Sequence, residues 1–240
     1  MIIFRPLDQV RAVSFDLDDT LYDNGPILRR AEDALLEFIH TEFPQLKDSN
    51  EVFWQRIKAK CLKERPELTH DMGAWRQHTL RTGLLELGMA FTEVSEATDR
   101  AFEYFYYERS RFKVDETICS LLARIADKLP MVAITNGNVD LDAIGIGQYF
   151  EQSFHANLEQ PKKPDPAMFE LASRHLAMPN ERILHVGDGL INDIAGAHEA
   201  GFQTAWYAGN RHMGIGYEPA RHLPNVQLAN LDELALLLDL

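Results

Sequence analysis

A chain of 240 residues with 45% hydrophobic and 25% charged residues has ordinary globular composition and enough apolar material to bury a full core. Its formal net charge of -13, with no clustered Lys and Arg, argues against a nucleic-acid partner and means that an anionic substrate must find positive charge locally. Cys61 and Cys119 form no CxxC pair, so neither a disulfide framework nor a zinc knuckle is implied. The opening MIIFRPLDQVR is broken by Arg5, Pro6 and Asp8 before it reaches signal-peptide length. Nothing approaches the roughly 20 apolar residues of a membrane span, so the expectation is a cytoplasmic protein with no membrane partner.

In chain order, the first informative stretch is AVSFDLDDTLYD at residues 12–23. Ala12, Val13 and Phe15 read as a short buried strand of a parallel sheet covered on both faces, and that strand feeds Asp16, Asp18 and Asp19. From residue 26 to about residue 111 the pattern is helical with short breaks. Ala31, Leu35, Phe38 and Ile39 recur at helical spacing until Pro44. A second helix is predicted over 51–63, a third from the N-cap Asp71 to Gly88, and a fourth after Thr92 up to about Arg109. Four such helices read as a bundle inserted into another fold, which divides the chain into 1–21 with 113–240 on one side and 22–112 on the other. Beyond Lys113 the rhythm alternates. Ile118, Leu121, Leu122 and Ile125 form a helical stripe, a strand is predicted over 131–135, and Asp165 with Pro166 opens the next helix. Strands follow at 183–186 and 203–207, separated by a helix over 191–200 that Gly201 terminates; 226–228 reads as a last edge strand and 231–238 as a closing helix. This alternation implies an α/β fold with a mostly parallel, doubly wound sheet.

Polar groups gather where these strands end, the place where open α/β sheets bind ligands. Asp16 and Asp18 project to the same side of the backbone, and two anions so close persist with a cation or a shared proton. The same residues also suit a capped turn. AITNGN delivers Thr135 and Asn136, with Gly137 for the turn; Lys163 stands in KKPDP; HVGDGLIND delivers Asp188, with Asp193 in the first turn of the following helix. Together they offer acids for a divalent metal, a hydroxyl and a lysine.

In this order, FDLDDTLYD, ITNGN, KPDP and GDGLIND resemble the four motifs of the haloacid dehalogenase superfamily of phosphatases. The resemblance implies a Rossmann-like core with an inserted type one helical cap that closes over the site and selects the substrate. It implies a phosphomonoester hydrolase acting on a small-molecule phosphate ester through an aspartyl-phosphate intermediate. Asp16 matches the nucleophile and Asp18 the general acid and base, while Thr135, Asn136 and Lys163 match phosphate contacts. A Mg2+ ion is implied on Asp16, the backbone carbonyl of Asp18, and Asp188, with Asp193 supporting through water or Lys163. Magnesium suits such all-oxygen ligands. Because a halide leaves without a proton, the acid at Asp18 favours phosphoryl transfer over carbon–halogen cleavage, and a phosphomutase stays open on the same residues. FRPL, FDLDDTLYDN with Pro26, His70 and Asp71 ahead of Trp75 and Arg76, VAITNGN and LHVGD further resemble bacterial phosphatases of flavin mononucleotide and of the phosphorylated ribitylaminopyrimidine of riboflavin synthesis. That substrate class is therefore implied, the alternatives being a broad sugar-phosphate or nucleotide phosphatase and a phosphate-binding regulatory protein without turnover. Gly189 departs from the family pattern, where an Asp or Ser often follows the last motif's acid, and this bears on metal affinity.

Several residues carry plainer readings. Asp19, Asp23 and Thr20 read as turn or supporting groups. His185, inside a strand, reads as a packed core histidine, and the nine histidines show no HExxH spacing for zinc. Gly145 and Gly147 form a lone GxG away from any strand–helix junction. Phe102, Phe105 and Tyr106 recur at helical spacing as bundle core, which leaves Tyr104 and Tyr107 free to face a ligand. Asp71, Trp75 and Arg76 read as an N-cap, a core indole and a surface arginine.

Overall fold

The computed structural model describes residues 1–46 and 49–240. A two-residue strand, β1 (Ile2–Ile3), precedes β2 (Ala12–Phe15), all four of whose residues are buried. Four helices follow: α1 (Asn24–Glu42), α2 (Glu51–Glu64), α3 (Met72–Glu86) and α4 (Val94–Arg109). The chain then alternates through α5 (Glu116–Ala126), β3 (Met131–Thr135), α6 (Leu141–Ile144), β4 (Gln152–His155), α7 (Ala167–Leu176) and β5 (Ile183–Gly187). It closes with α8 (Gly196–Glu199), β6 (Gln203–Trp206), β7 (Val226–Gln227) and α9 (Glu233–Leu237).

The seven strands form one sheet in the order β1-β7-β6-β5-β2-β3-β4, parallel throughout except where β1 runs against β7. β2 lies between β3 and β5, with Phe15 level with Ala133 on one side and Val186 on the other. The chain therefore leaves three adjacent strands at one edge of the sheet, and Asp16, Thr135 and Asp188 emerge together. Period-two alternation sends Val13 and Phe15 to a core shared with Leu121, Leu122 and Ile125 of α5, while Ala12 faces Phe169 and Ala172 of α7. Helices on both faces make this the expected doubly wound α/β architecture.

Three local expectations are corrected. The segment at 226–228 is not an edge, because β1 pairs beyond it, with Ile2 opposite Gln227. β4 is an unpredicted strand: its residues are half-buried or exposed, as suits the opposite edge, so no continuous apolar run announces it. α4 begins after Thr92 as expected; the carbonyl of Ala90 accepts from both Glu93 N (3.0 Å) and Val94 N (3.0 Å), so the chain turns before the helix begins. The helix expected over 191–200 is split into a π-helical turn, Leu190–Ala195, and α8. There the carbonyl of Gly189 accepts from Asp193 N (2.9 Å) and Ile194 N (3.1 Å), and the widened turn carries Asp193 inward.

The helices α1, α3 and α4 share their own apolar cluster, including Leu35, Ile39, Leu80, Leu84, Ala101 and Phe105. Asp23 caps α1 through Gly25 N (3.1 Å), and Asp71 caps α3 through Ala74 N (2.8 Å). α2 packs on α3, where Gly83 admits the Trp54 indole: a Cβ at residue 83 would overlap the ring. Gly83→Ala should therefore destabilise the protein by about 1–3 kcal/mol through overpacking, although alanine is the better helix former. Urea denaturation checks this, and an unchanged or raised midpoint would show that the indole has room.

Candidate active site

β2 delivers Asp16 with its backbone N–H on the carbonyl of Val186 (2.9 Å), so the carboxylate starts from a fixed point in the sheet. Its Oδ1 accepts from Lys163 Nζ at 2.6 Å, and its Oδ2 accepts from Thr20 Oγ1 at 3.2 Å, so Thr20 serves Asp16 as well as the turn. Lys163 is 1% exposed and also donates to the carbonyl of Ile134 (2.6 Å), while its Nζ lies 2.6 Å from Asp193 Oδ1. Asn136 sets that lysine: its Oδ1 accepts from Lys163 N (2.7 Å) and its Nδ2 donates to Lys163 O (3.2 Å). The Asn136 side chain is thus engaged on Lys163's backbone. Thr135 is buried at the end of β3, where its Oγ1 accepts from Gly137 N (3.0 Å).

Asp193 completes the buried network. Gly189 N donates to its Oδ2 (2.8 Å), and His185 Nε2 lies 3.3 Å from its Oδ1, with His185 Nδ1 2.9 Å from Ser14 Oγ. His185 is therefore a packed core residue, as expected, and it also contacts the acidic cluster. Asp188 carries Arg211: Nη1 donates to Oδ2 (2.7 Å) and Nη2 to the backbone carbonyl (2.8 Å). Sequence reasoning missed this arginine, which lies in the irregular stretch between β6 and β7.

Burial pushes the Asp16 carboxyl well above its ordinary range; Lys163 opposes the rise, while Asp193 and Asp188 add to it. Asp188 is pushed up to about 6 by burial and by the neighbouring charge of Asp193, against the pull of Arg211. Asp193 goes the other way: burial opposes its charge, but Lys163 and His185 outweigh burial and hold it far below the usual range. Burial likewise opposes the charge on Lys163, and the two carboxylates more than restore it.

One carboxylate oxygen from each of Asp16, Asp188 and Asp193 lies within 4.8 Å of the others. These hard oxygen donors, drawn together against their mutual repulsion, fit a magnesium-sized cation. Among the three, Asp188 keeps its Oδ1 without a hydrogen bond to the described residues, whereas both oxygens of Asp16 and of Asp193 are already engaged. The Asp18 carboxylate is not part of this group. Instead its Oδ1 accepts from Tyr22 OH (2.8 Å) and Arg109 Nη2 (2.5 Å). Gly137 allows that placement, because a Cβ there would stand 2.6 Å from Asp18 Oδ2. Asp19 and Asp23 serve the turn as expected: Asp19 Oδ1 accepts from Asn24 N at 2.9 Å, and Asp23 caps α1.

A cleft of about 380 Å³ opens over Asp18, Asn136 and Gly137, roofed by Trp75, Phe105 and Arg109. The roof differs from expectation. Tyr104 stacks on Phe38 with ring centroids 4.5 Å apart, Tyr107 is exposed, and neither lines the cleft. Phe105, expected only as core, does line it, with the Arg76 guanidinium 3.5 Å over its ring. Arg76 is no surface residue: 14% of its side chain is exposed, and its Nη2 lies 3.3 Å from Glu32 Oε1. Trp75 donates from Nε1 to the carbonyl of Lys58 (3.2 Å). Arg109, also missed, had no signal in its spacing, since the last turn of a helix is an ordinary place for a basic residue.

Lys163→Met would leave Asp16 and Asp193 facing each other without a cation, at a cost of about 3–5 kcal/mol near neutral pH. In the native chain the lowered carboxyl of Asp193 contributes stability that is present above its unfolded value of 3.8 and lost as pH falls through the acid range. Without the lysine both carboxyls rise above their unfolded values, so the variant loses stability as pH climbs. Urea denaturation of chelator-treated protein at about pH 5 and about pH 8 should show a wider gap from wild type at the higher pH. Equal gaps would mean that Lys163 does not neutralise these acids.

A family profile described as haloacid dehalogenase-like hydrolase matches residues 10–201. The chain is 35% identical over 238 residues to the 5-amino-6-(5-phospho-D-ribitylamino)uracil phosphatase of Escherichia coli (strain K12), covering 99% of this chain and 100% of that protein. It is 25% identical over 243 residues to the N-acylneuraminate-9-phosphatase of Homo sapiens, covering 97% and 95%. A crystal structure of a 2-haloacid dehalogenase from Pseudomonas syringae pv. Tomato DC3000 superposes with a TM-score of 0.89 at 31% identity, covering 96% of this chain and 99% of that one. The profile takes in strands β2 to β5, the inserted helices and all four clustered motifs, and the chain belongs to the haloacid dehalogenase-like hydrolases, as one of their phosphatases.

Proposed function

We propose that this hydrolase is a magnesium-dependent phosphomonoesterase working through an aspartyl phosphate on Asp16, with 5-amino-6-(5-phospho-D-ribitylamino)uracil as its foremost substrate. The substrate reading is supported by the Escherichia coli relative, which carries that activity in its name and aligns from end to end. Flavin mononucleotide shares the ribityl phosphate and belongs to the same proposed class. The observation that carries the chemistry is the Lys163 ammonium 2.6 Å from Asp16, with a second acid, Asp18, facing the cleft beside it.

In this reading the phosphate of the substrate meets Lys163 and the Thr135 hydroxyl, so its charge is neutralised before a carboxylate approaches. Asp16 attacks phosphorus in line, the ester P–O bond breaks, and the leaving alkoxide takes a proton from Asp18. Asp18 then takes a proton from water as that water attacks the aspartyl phosphate, which releases inorganic phosphate and restores the Asp16 carboxylate. Asp16, Asp188 and the Asp18 carbonyl would hold the magnesium ion, which would supply further neutralisation of the phosphoryl oxygens. Tyr22 and Arg109 fix Asp18 in place; Asn136 and Asp193 fix Lys163.

The Pseudomonas syringae neighbour raises carbon–halogen cleavage as a second reading. Asp18 weighs against it, because a departing halide has no use for a proton donor.

Phosphate release from 5-amino-6-(5-phospho-D-ribitylamino)uracil, flavin mononucleotide and a panel of sugar phosphates separates these readings. The ribityl esters should give the highest kcat/KM, with loss on chelation and recovery on adding magnesium. Asp16→Asn should abolish turnover, and Asp18→Asn should slow it by about 10²–10⁴-fold. Comparable rates across sugar phosphates would overturn the substrate assignment alone; chloride release from a 2-chloro acid without phosphate release would overturn the chemistry.

A further inference from the structure

The cleft over Asp18 does not end at its roof. Glu32, Lys58, Arg76 and Thr79 form its far wall, and the same four residues wall a second cavity of about 270 Å³ that lies among α1, α2 and α3. The partition is made of side chains. Lys58 Nζ of α2 lies 2.6 Å from Glu32 Oε1 of α1, and Arg76 Nη2 of α3 lies 3.3 Å from the same oxygen. With 30% of Lys58 and 37% of Glu32 exposed, this pair is readily exchanged for other hydrogen bonds.

Unsatisfied polar groups run along both spaces. Five buried side-chain atoms among the described residues have no hydrogen-bond partner, and four of them belong to residues lining the two cavities. Asn24 Oδ1 and Arg109 Nη1 belong to the Asp18 end, Thr79 Oγ1 to the shared wall, and Trp54 Nε1 to the second cavity, beside the apolar Leu36 and Leu80. Buried donors and acceptors are normally paired, so such a run marks where a ligand's own polar groups belong. An indole with a free N–H beside apolar side chains suits a flat ring that carries an acceptor.

We infer that the two cavities are one substrate channel, in which the remote ring of an elongated phosphate ester passes the Glu32–Lys58–Arg76 cluster and lodges between α1 and α2 on Trp54 and Thr79. This rests on the phosphomonoesterase reading and adds specificity residues and a substrate shape to it. The phosphate lies at Asp16, a hydroxylated chain exchanges hydrogen bonds with the ionic cluster, and the ring takes the Trp54 donor and the Thr79 hydroxyl.

The test is the ratio of kcat/KM for 5-amino-6-(5-phospho-D-ribitylamino)uracil to that for p-nitrophenyl phosphate, which is too short to reach the second cavity. Both substrates use the same Asp16, so any loss of folded enzyme cancels in the ratio. Thr79→Val and Trp54→Phe each remove one polar partner, and Gln55→Trp fills the cavity from an exposed position on α2. Each variant should lower the ratio by about tenfold, through KM for the long ester. An unchanged ratio in Thr79→Val and Gln55→Trp would overturn the channel and leave the phosphatase standing. Hydrolysis of the short ester alone by the wild type would also overturn the channel, and hydrolysis of neither would overturn the phosphatase reading and the channel together.

Discussion

The Lys163 ammonium has three oxygens at 2.6 Å, from Asp16, Asp193 and the Ile134 carbonyl, and the site is assembled around it. These oxygens come from the end of β2, the π-helical turn after β5, and β3. One cation thus ties together three segments that would otherwise carry two buried, mutually repelling acids to the same place. Removing a charge this deep from water is costly, and only close pairing offsets it. That requirement explains the surrounding detail: Asn136 grips the lysine backbone from both sides, and the turn after Gly189 opens to bring Asp193 inward.

The residual imbalance is equally informative. Asp16 and Asp188 are held above their ordinary range while Asp193 is held below it, although the Lys163 ammonium lies 2.6 Å from both Asp16 and Asp193. What remains is a pair of acids that a divalent cation would stabilise. In the proposed mechanism the nucleophile, the metal and the phosphate contact share this one buried set of charges.

The helices handle the other half of the site. Arg109, at the end of α4, reaches Asp18 at the sheet edge, so the acid next to the proposed nucleophile is positioned from the inserted block. Arg76 is engaged with Phe105 and Glu32, and it shapes the cleft wall. In the proposed function, chemistry and discrimination are therefore built by different parts of the chain, joined at Asp18.

By itself the sequence determined the central strands, the order of helices and the identity of the acids and lysine at the strand ends. These features follow from local pattern: buried parallel strands are continuous apolar runs, and turn residues and caps lie beside the elements they end. Tertiary structure alone decided what depends on distant residues meeting. β4 carries little apolar signal and β1 is only two residues long, so both are recognisable only once a neighbour pairs with them. Arg76 and Arg109 look like ordinary helix-surface arginines until Phe105 and Asp18 arrive from elsewhere in the chain. Asp193 and Lys163 are 30 residues apart in sequence and 2.6 Å apart in space, a meeting that periodicity cannot express, because it is set by which strands the sheet places side by side.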